Sequence, residues 1–333
     1  MKSVLPSFAV IGTLVMCGSG VEAQTPLMLE AKIPLGEVRG RIDHMAVDLE
    51  RRRLFVAELG NDSVAVVDLD GRKVMHLITD VKGPQGLGYL PSTDTLFVAN
   101  GGDGSLRMFE GREYRAVERL ELGDDADNIR IDAAADRVFV SYGAGALAII
   151  DAGSRSKIDD IGFSAHPEGF QLDRRTNRIY VNDPKGQAIV VIDRATGRPA
   201  AIWSTGNATN FPMAFDETSD HVLVVFRNPA KLTVFAASNG TVLASAEICG
   251  DADDIFVDTK RRRLYVSCGD GFLDVFSTDG GAYRRIAHLA TAAGARTSLY
   301  VPELDRLFVA ARATPEEPAT VWVFRPDSQS AAD

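Results

Sequence analysis

The stretch IDHMAVDLERRRLFVAELGNDSVAVVDL, Ile42 to Leu69, decides the fold, because a degraded copy of it returns every forty-odd residues until the chain ends. It reads as three short strands, 43–48, 54–57 and 64–67, rich in Val, Ala, Leu and Phe and separated by turn-forming residues. Taking the first residue of each second strand as an anchor gives Leu54, Leu96, Val138, Ile179, Val222, Leu264 and Leu307, with spacings of 42, 42, 41, 43, 42 and 43. In every copy a first strand begins 11 residues before the anchor, at Asp43, Gln85, Asp127, Glu168, Phe211, Asp253 and Arg296.

A period near 42 with three or four short, alternating strands per unit predicts an all-β, seven-bladed propeller with four-stranded blades. Helical repeats of similar period are excluded, since no window carries apolar residues at helical spacing. The first six units each hold a fourth strand-like segment, such as 73–78 or 241–245, whereas the seventh stops after Val321-Trp322-Val323-Phe324. The segment 28–35 is unclaimed by any unit, so it is expected to complete the last blade and close the ring.

The repeat also separates scaffold from variable positions. Positions three and five of the first strand are Met45/Val47, Leu87/Tyr89, Ile129/Ile131, Phe170/Leu172, Met213/Phe215, Ile255/Val257 and Ser298/Tyr300, almost all apolar and expected to pack between blades. Position six is aspartate in five copies, Asp48, Asp132, Asp173, Asp216 and Asp258, which suits the start of a turn. The basic runs 51–53 and 260–263 fall in those same turns and read as solvated hairpin tips on an acidic protein.

Copies such as RIYVNDPKGQAIVVIDRATG, Arg178 to Gly197, resemble the YVTN-type propeller repeat over about residues 28–325. That resemblance implies the propeller fold and leaves activity open, because similar propellers serve as surface and periplasmic binding proteins, as lactonase-like hydrolases and as modules of redox enzymes.

Composition narrows the partners. The 333 residues carry 45% hydrophobic content, ample for a buried core, and a formal net charge of -10, which argues against nucleic acid or an anionic membrane surface. Residues 1–23 read as a signal peptide: Lys2 is the positive start, 4–16 the apolar run, and Val21-Glu22-Ala23 the cleavage site. Cys17 leaves a lipoprotein reading open. The expectation is therefore a periplasmic or secreted monomer, with residues 24–326 forming one propeller domain and 327–333 a disordered tail. Beyond residue 23 there is no apolar run of membrane-spanning length.

The chemistry should sit where the first strands begin, since these line the channel and their starts form a ring at one mouth. The ligand-binding candidates are Asp43, His44, Gln85, Asp127, Asn128, Glu168, Asp253, Asp254 and Arg296. Neighbouring loops add Arg41, Asp124, Asp125, His166, Asn210 and Asp251, and the loops after the second strands add Glu58, Asn100, Asn182, Asp183, Arg227 and Arg312. Converging carboxylates are what Ca²⁺ requires, with Asp127, Glu168 and Asp253 the candidate metal ligands; the alternative is a wet polar funnel. The five histidines are scattered, and no C-x-x-C-H, G-x-S-x-G or phosphate-cradling glycine loop occurs. Cys249 and Cys268 map to the same face as a disulfide candidate, with two free thiols as the alternative.

The sequence thus predicts an exported, non-catalytic binding protein that takes a small molecule or a protein partner at the channel mouth. The alternative is a divalent-metal-assisted, lactonase-like hydrolase using the carboxylate ring.

Overall fold

The computed structural model describes Met1 and residues 25–143 and 145–327. The signal-peptide reading and all but the first residue of the expected tail lie outside those residues. The described chain forms seven sheets, each of four antiparallel strands, arranged as the blades of a propeller. Blade one runs through Met45–Asp48, Arg53–Glu58, Ser63–Asp68 and Lys73–Ile78, from the inner strand to the outer one. The next five blades repeat this order, at residues 84–121, 129–162, 170–204, 210–247 and 252–290.

The expected closure is present. Leu27–Gly36 pairs antiparallel with Ala319–Pro326, placing Leu27 opposite Pro326 and Ile33 opposite Val321. Blade seven therefore takes its inner three strands from the end of the chain and its outer strand from the beginning. Asp327, expected as the start of the tail, donates its N–H to the Pro26 carbonyl at 3.1 Å and extends the seam.

Burial explains why the strands read as they do. The second and third strands of each blade are covered on both faces by neighbouring blades, so Leu54-Phe55-Val56-Ala57 and Val64-Ala65-Val66-Val67 form continuous apolar runs. Outer strands such as Lys73–Ile78 alternate between exposed and partly buried residues because only one face is covered. The core is accordingly seven clusters, each shared by two successive blades; one joins Ile33, Val301 and Phe308 of blade seven to Leu54, Val56 and Ala65 of blade one. Position three enters these clusters in six blades, from Met45 to Ile255, and position five packs against them. The exception is Ser298, whose hydroxyl lies 2.7 Å from that of Ser267.

The turn aspartates behave as expected in four of five copies. Asp48, Asp173, Asp216 and Asp258 each accept a backbone N–H two or three residues ahead. Asp132 instead binds the guanidinium groups of Arg174 and Arg194. The basic runs are paired rather than open anion patches. Arg51 holds Asp48 and Asp94, Arg52 and Arg53 hold Asp70 and Asp68, and Arg261 holds Asp258 and Asp305.

Because the closing strand supplies core as well as hydrogen bonds, Ile33→Ala is expected to cost about 2–4 kcal/mol in urea unfolding. Ile202→Ser, at an outer-strand position 67% exposed, should change stability by less than about 0.5 kcal/mol. Equal effects from the two substitutions would contradict the closure described.

Candidate functional site

The first-strand starts do gather around one axis. Eight of the nine sequence-predicted binding residues, His44, Gln85, Asp127, Asn128, Glu168, Asp253, Asp254 and Arg296, line a single cavity of about 700 Å³ in the channel. Asp43 does not; it is 1% exposed and sits behind the wall, 2.8 Å from the Arg41 guanidinium. The regular inner strand of blade one begins at Met45, two residues later than expected. Pairing nevertheless reaches Asp43, whose N–H donates to the Ala57 carbonyl at 2.8 Å. The positions are fixed by backbone pairing, while side chains are free to differ between blades.

Close approach of neighbouring inner strands completes the wall. At Gly86 a Cβ would lie 1.9 Å from the Asp127 carbonyl oxygen, so any side chain there would push apart the strands that carry Gln85 and Asp127.

The charges are mostly cross-paired. Arg296 binds Asp253 through Nε at 2.9 Å and Asp251 through Nη1 at 2.9 Å, and Arg227 also contacts Asp253. His44 stands 3.8 Å from Asp43 on one side and 3.8 Å from Asp254 on the other. Asp254 also accepts the Ser298 N–H at 2.7 Å. Asp127 accepts from the Asn128 amide at 3.1 Å, and Gln85 donates to Asp125 at 3.0 Å. His166 Nδ1 lies 2.8 Å from the Gly143 carbonyl, which it can only meet as a donor, and this aims Nε2 at Asp127, 3.8 Å away. The uneven ring of four carboxylates and one arginine seen in the sequence is thus balanced by Arg41, Arg227, Arg130 and two histidines.

These contacts move the protonation equilibria. Burial pushes the Glu168 carboxyl up to about 7, with the neighbouring Asp127 charge adding to the shift. Burial likewise carries Asp254 to about 7 against the opposing pull of His44. Burial alone would lower His166, but contact with Asp127 and the Gly143 carbonyl, with the Asp127 and Glu168 charges, carries it to about 9. Asp127 stays below its ordinary range because His166, His44 and Arg41 outweigh the burial that opposes them.

Asp127, Glu168 and Asp253 do not form a ready Ca²⁺ cradle. Among the described residues only Cys249, Cys268 and Asp270 bring three His, Cys, Asp or Glu ligand atoms within 4.8 Å of one another. The two sulfurs of that set are joined in the Cys249–Cys268 disulfide, with a Cα separation of 5.8 Å. Asp253 is already engaged by two arginines, so no chemical step through a metal is derived.

Several residues that pointed to the mouth do not reach it. Glu58 is 1% exposed and turned toward the Ser63 hydroxyl at 2.6 Å, away from the cavity wall. Asn182 and Asn210 bond each other at 3.2 Å inside the protein. The sequence reading missed Arg130, at position four of the blade-three inner strand. The same position elsewhere holds Ala46, Gly88, Gln171, Ala214, Phe256 and Leu299, so a lone charge was the available signal.

No family model matches the chain. The chain is 21% identical over 206 residues to the uncharacterized protein YncE of Salmonella typhimurium, a match covering 60% of this chain and 58% of that one. The corresponding protein of Salmonella typhi is 20% identical over the same share of each chain. The match therefore spans less than two thirds of either relative. Among solved structures, a chain of the "Crystal Structure of Mitotic Checkpoint Complex" superposes with a TM-score of 0.76 at 12% identity, over 97% of this chain and 99% of that chain. A chain of "Kuenenia stuttgartiensis Hydrazine Synthase" gives 0.73 at 16% identity, over 91% and 97%. At these identities the likeness shows the propeller fold alone.

The raised groups make stability depend on pH in one direction. His166 keeps its proton in the folded state to about 9, but releases it near 6.5 when unfolded. The stability it contributes is full below 6.5 and lost as pH rises through about 9. Glu168 and Asp254 act likewise in a lower window, below about 7, because the folded state holds protons that the unfolded carboxyls have already released. Melting temperature should therefore fall as pH rises from 5 to 9, with His166→Asn flattening the upper half and Glu168→Gln the lower. An unchanged profile in both variants would show that these groups are not perturbed.

Proposed function

We propose that this chain is an exported, non-catalytic binding protein that takes a small molecule into the channel through its charged mouth. The observation that carries the reading is the contrast between a scaffold repeated seven times and one axial cavity of about 700 Å³ whose wall residues differ from blade to blade. That volume suits a small organic ligand, and the density of charged groups on the wall suits a polar one. Export is supported by the Cys249–Cys268 disulfide, which fits an oxidising compartment.

Binding is favoured over hydrolysis by the pairing pattern. Among the described residues neither His44 nor His166 hydrogen-bonds a hydroxyl or thiol, so no activated nucleophile is assembled. The carboxylates that could polarise water are engaged by arginines, side-chain amides or, for Asp254, the Ser298 N–H, apart from Glu168. No helix among the described residues is long and apolar enough to cross a membrane.

Native mass spectrometry of the protein purified from its own host tests the reading. A small molecule should accompany the wild type and be absent from Gln85→Trp, which fills the mouth without breaking an ion pair. A bound species retained by Gln85→Trp would place binding elsewhere. Turnover of a lactone or ester panel, abolished by Glu168→Gln, would replace the binding role with an enzymatic one.

A further inference from the structure

The cavity wall holds four arginines, and three of them are held by carboxylates: Arg41 by Asp43, and Arg227 and Arg296 by Asp253. Arg130 is different. Among the described residues the one hydrogen bond of its side chain runs from Nη1 to the carbonyl of its own neighbour Ile129, at 2.8 Å. Its guanidinium carbon lies 5.5 Å from the centre of the Phe170 ring, a cation–π contact. No carboxylate lies within 4.0 Å of it among the described residues. Nε and Nη2 have no acceptor there either. Around the channel at the same level the wall is otherwise uncharged.

The acids show the matching exception. Asp125, Asp127, Asp253 and Asp254 each engage an amide, a backbone N–H or an arginine. The Glu168 carboxylate has neither a hydrogen bond nor an ion pair within 4.0 Å among the described residues, although it lines the cavity. The channel thus carries one unengaged guanidinium and one unengaged carboxyl. Both side chains are partly exposed to the cavity, and partial desolvation there disfavours the charged forms of Arg130 and Glu168.

We propose, building on the binding role above, that the channel ligand is a linear zwitterion whose carboxylate is gripped by the Arg130 fork and whose ammonium group meets Glu168. Arg130 and Glu168 belong to adjacent blades and differ by three positions along the inner strand, which separates them by roughly 10 Å along the axis. Apolar Ala214, Phe256 and Leu299 at the Arg130 level leave methylene or similar groups in low-polarity surroundings. A single negative charge fits better than a phosphate, because Asp127 and Asp254 act on Arg130 through space and would repel a dianion. An ω-amino acid or a short peptide has this chemistry.

The probe is ω-aminooctanoate, titrated calorimetrically beside octanoate and octylamine. Wild type should bind the zwitterion at least about tenfold more tightly than either single-charge analogue, as one charge-assisted pair more implies. Arg130→Met should weaken the zwitterion and octanoate alike by about tenfold or more, and Glu168→Gln should erase only the advantage over octanoate. The free Arg130→Met protein should melt at or above the wild-type temperature, since the substitution removes a partly desolvated charge that has no carboxylate partner. Undiminished binding by Arg130→Met, equal binding of octanoate and the zwitterion, or a melting temperature well below wild type would overturn the assignment. If no probe binds while a molecule still accompanies the wild type and leaves Gln85→Trp, the zwitterion falls and the binding role stands. If Gln85→Trp retains its molecule, both fall.

Discussion

The pairing of Leu27–Gly36 with Ala319–Pro326 is the contact on which the other blade interfaces depend. A single blade has two apolar faces and cannot bury either alone. Each face is covered only by the next blade, so the stack is self-sufficient only as a ring. The first strand supplies Leu27 to the cluster between blades six and seven, and Ile33 and Leu35 to the cluster between blades seven and one. Its backbone covers what would otherwise be the open edge of Ala319–Pro326. The terminal segment is thus both the seam and part of two cores.

The face opposite the mouth is fastened differently. Arg51 reaches from blade one to Asp94 of blade two, Arg175 from blade four to Asp220 of blade five, and Arg261 from blade six to Asp305 of blade seven. In each pair the aspartate takes the left-handed turn conformation, with φ of 49°, 59° and 52°, and presents its carboxylate to the preceding blade. Arg261 is almost fully buried and also holds Asp258, which accepts the Tyr265 hydroxyl on the same carboxylate oxygen at 2.6 Å. Such a network stabilises only if complete, because a buried charge left alone costs several kcal/mol. Apolar faces set the spacing of the blades, and these bridges set their rotation at the far rim.

Much of this was legible because repetition averages out local noise. Seven anchors at near-constant spacing identify the blade, and an unclaimed segment beside an incomplete last unit identifies the seam. Turn aspartates were recognisable because the same residue recurred where a turn had to start. The mouth was legible only as a set of positions. Backbone periodicity says which residues begin inner strands, but not which way a side chain leans or what crosses from the next blade. Asp253 looked like a metal ligand in isolation, yet two arginines from blades five and seven converge on it. Glu58 looked like part of the ring, yet its carboxyl is turned to Ser63, and Asp43 lies behind Arg41. Arg130 sits three residues deeper than the ring start, at a level where the repeat carries no other charge to mark it.

The same pairing logic separates the parts of the mouth that are scaffold from those free to serve a ligand. Asp253, Arg227 and Arg296 form one cross-blade cluster, in which Asp251 also contacts both arginines, so each charge is shared among several partners. A ligand that needed these groups would have to break contacts already made, and would gain little. Arg130 and Glu168 carry the opposite balance: neither has an ion-pair partner within 4.0 Å among the described residues, and desolvation works against the charge of both. On the proposed binding role, charge kept in that condition, on adjacent blades and facing one cavity, costs the free protein stability that a ligand of complementary charge would return. The two residues without an ion-pair partner are therefore where the proposed ligand would gain most.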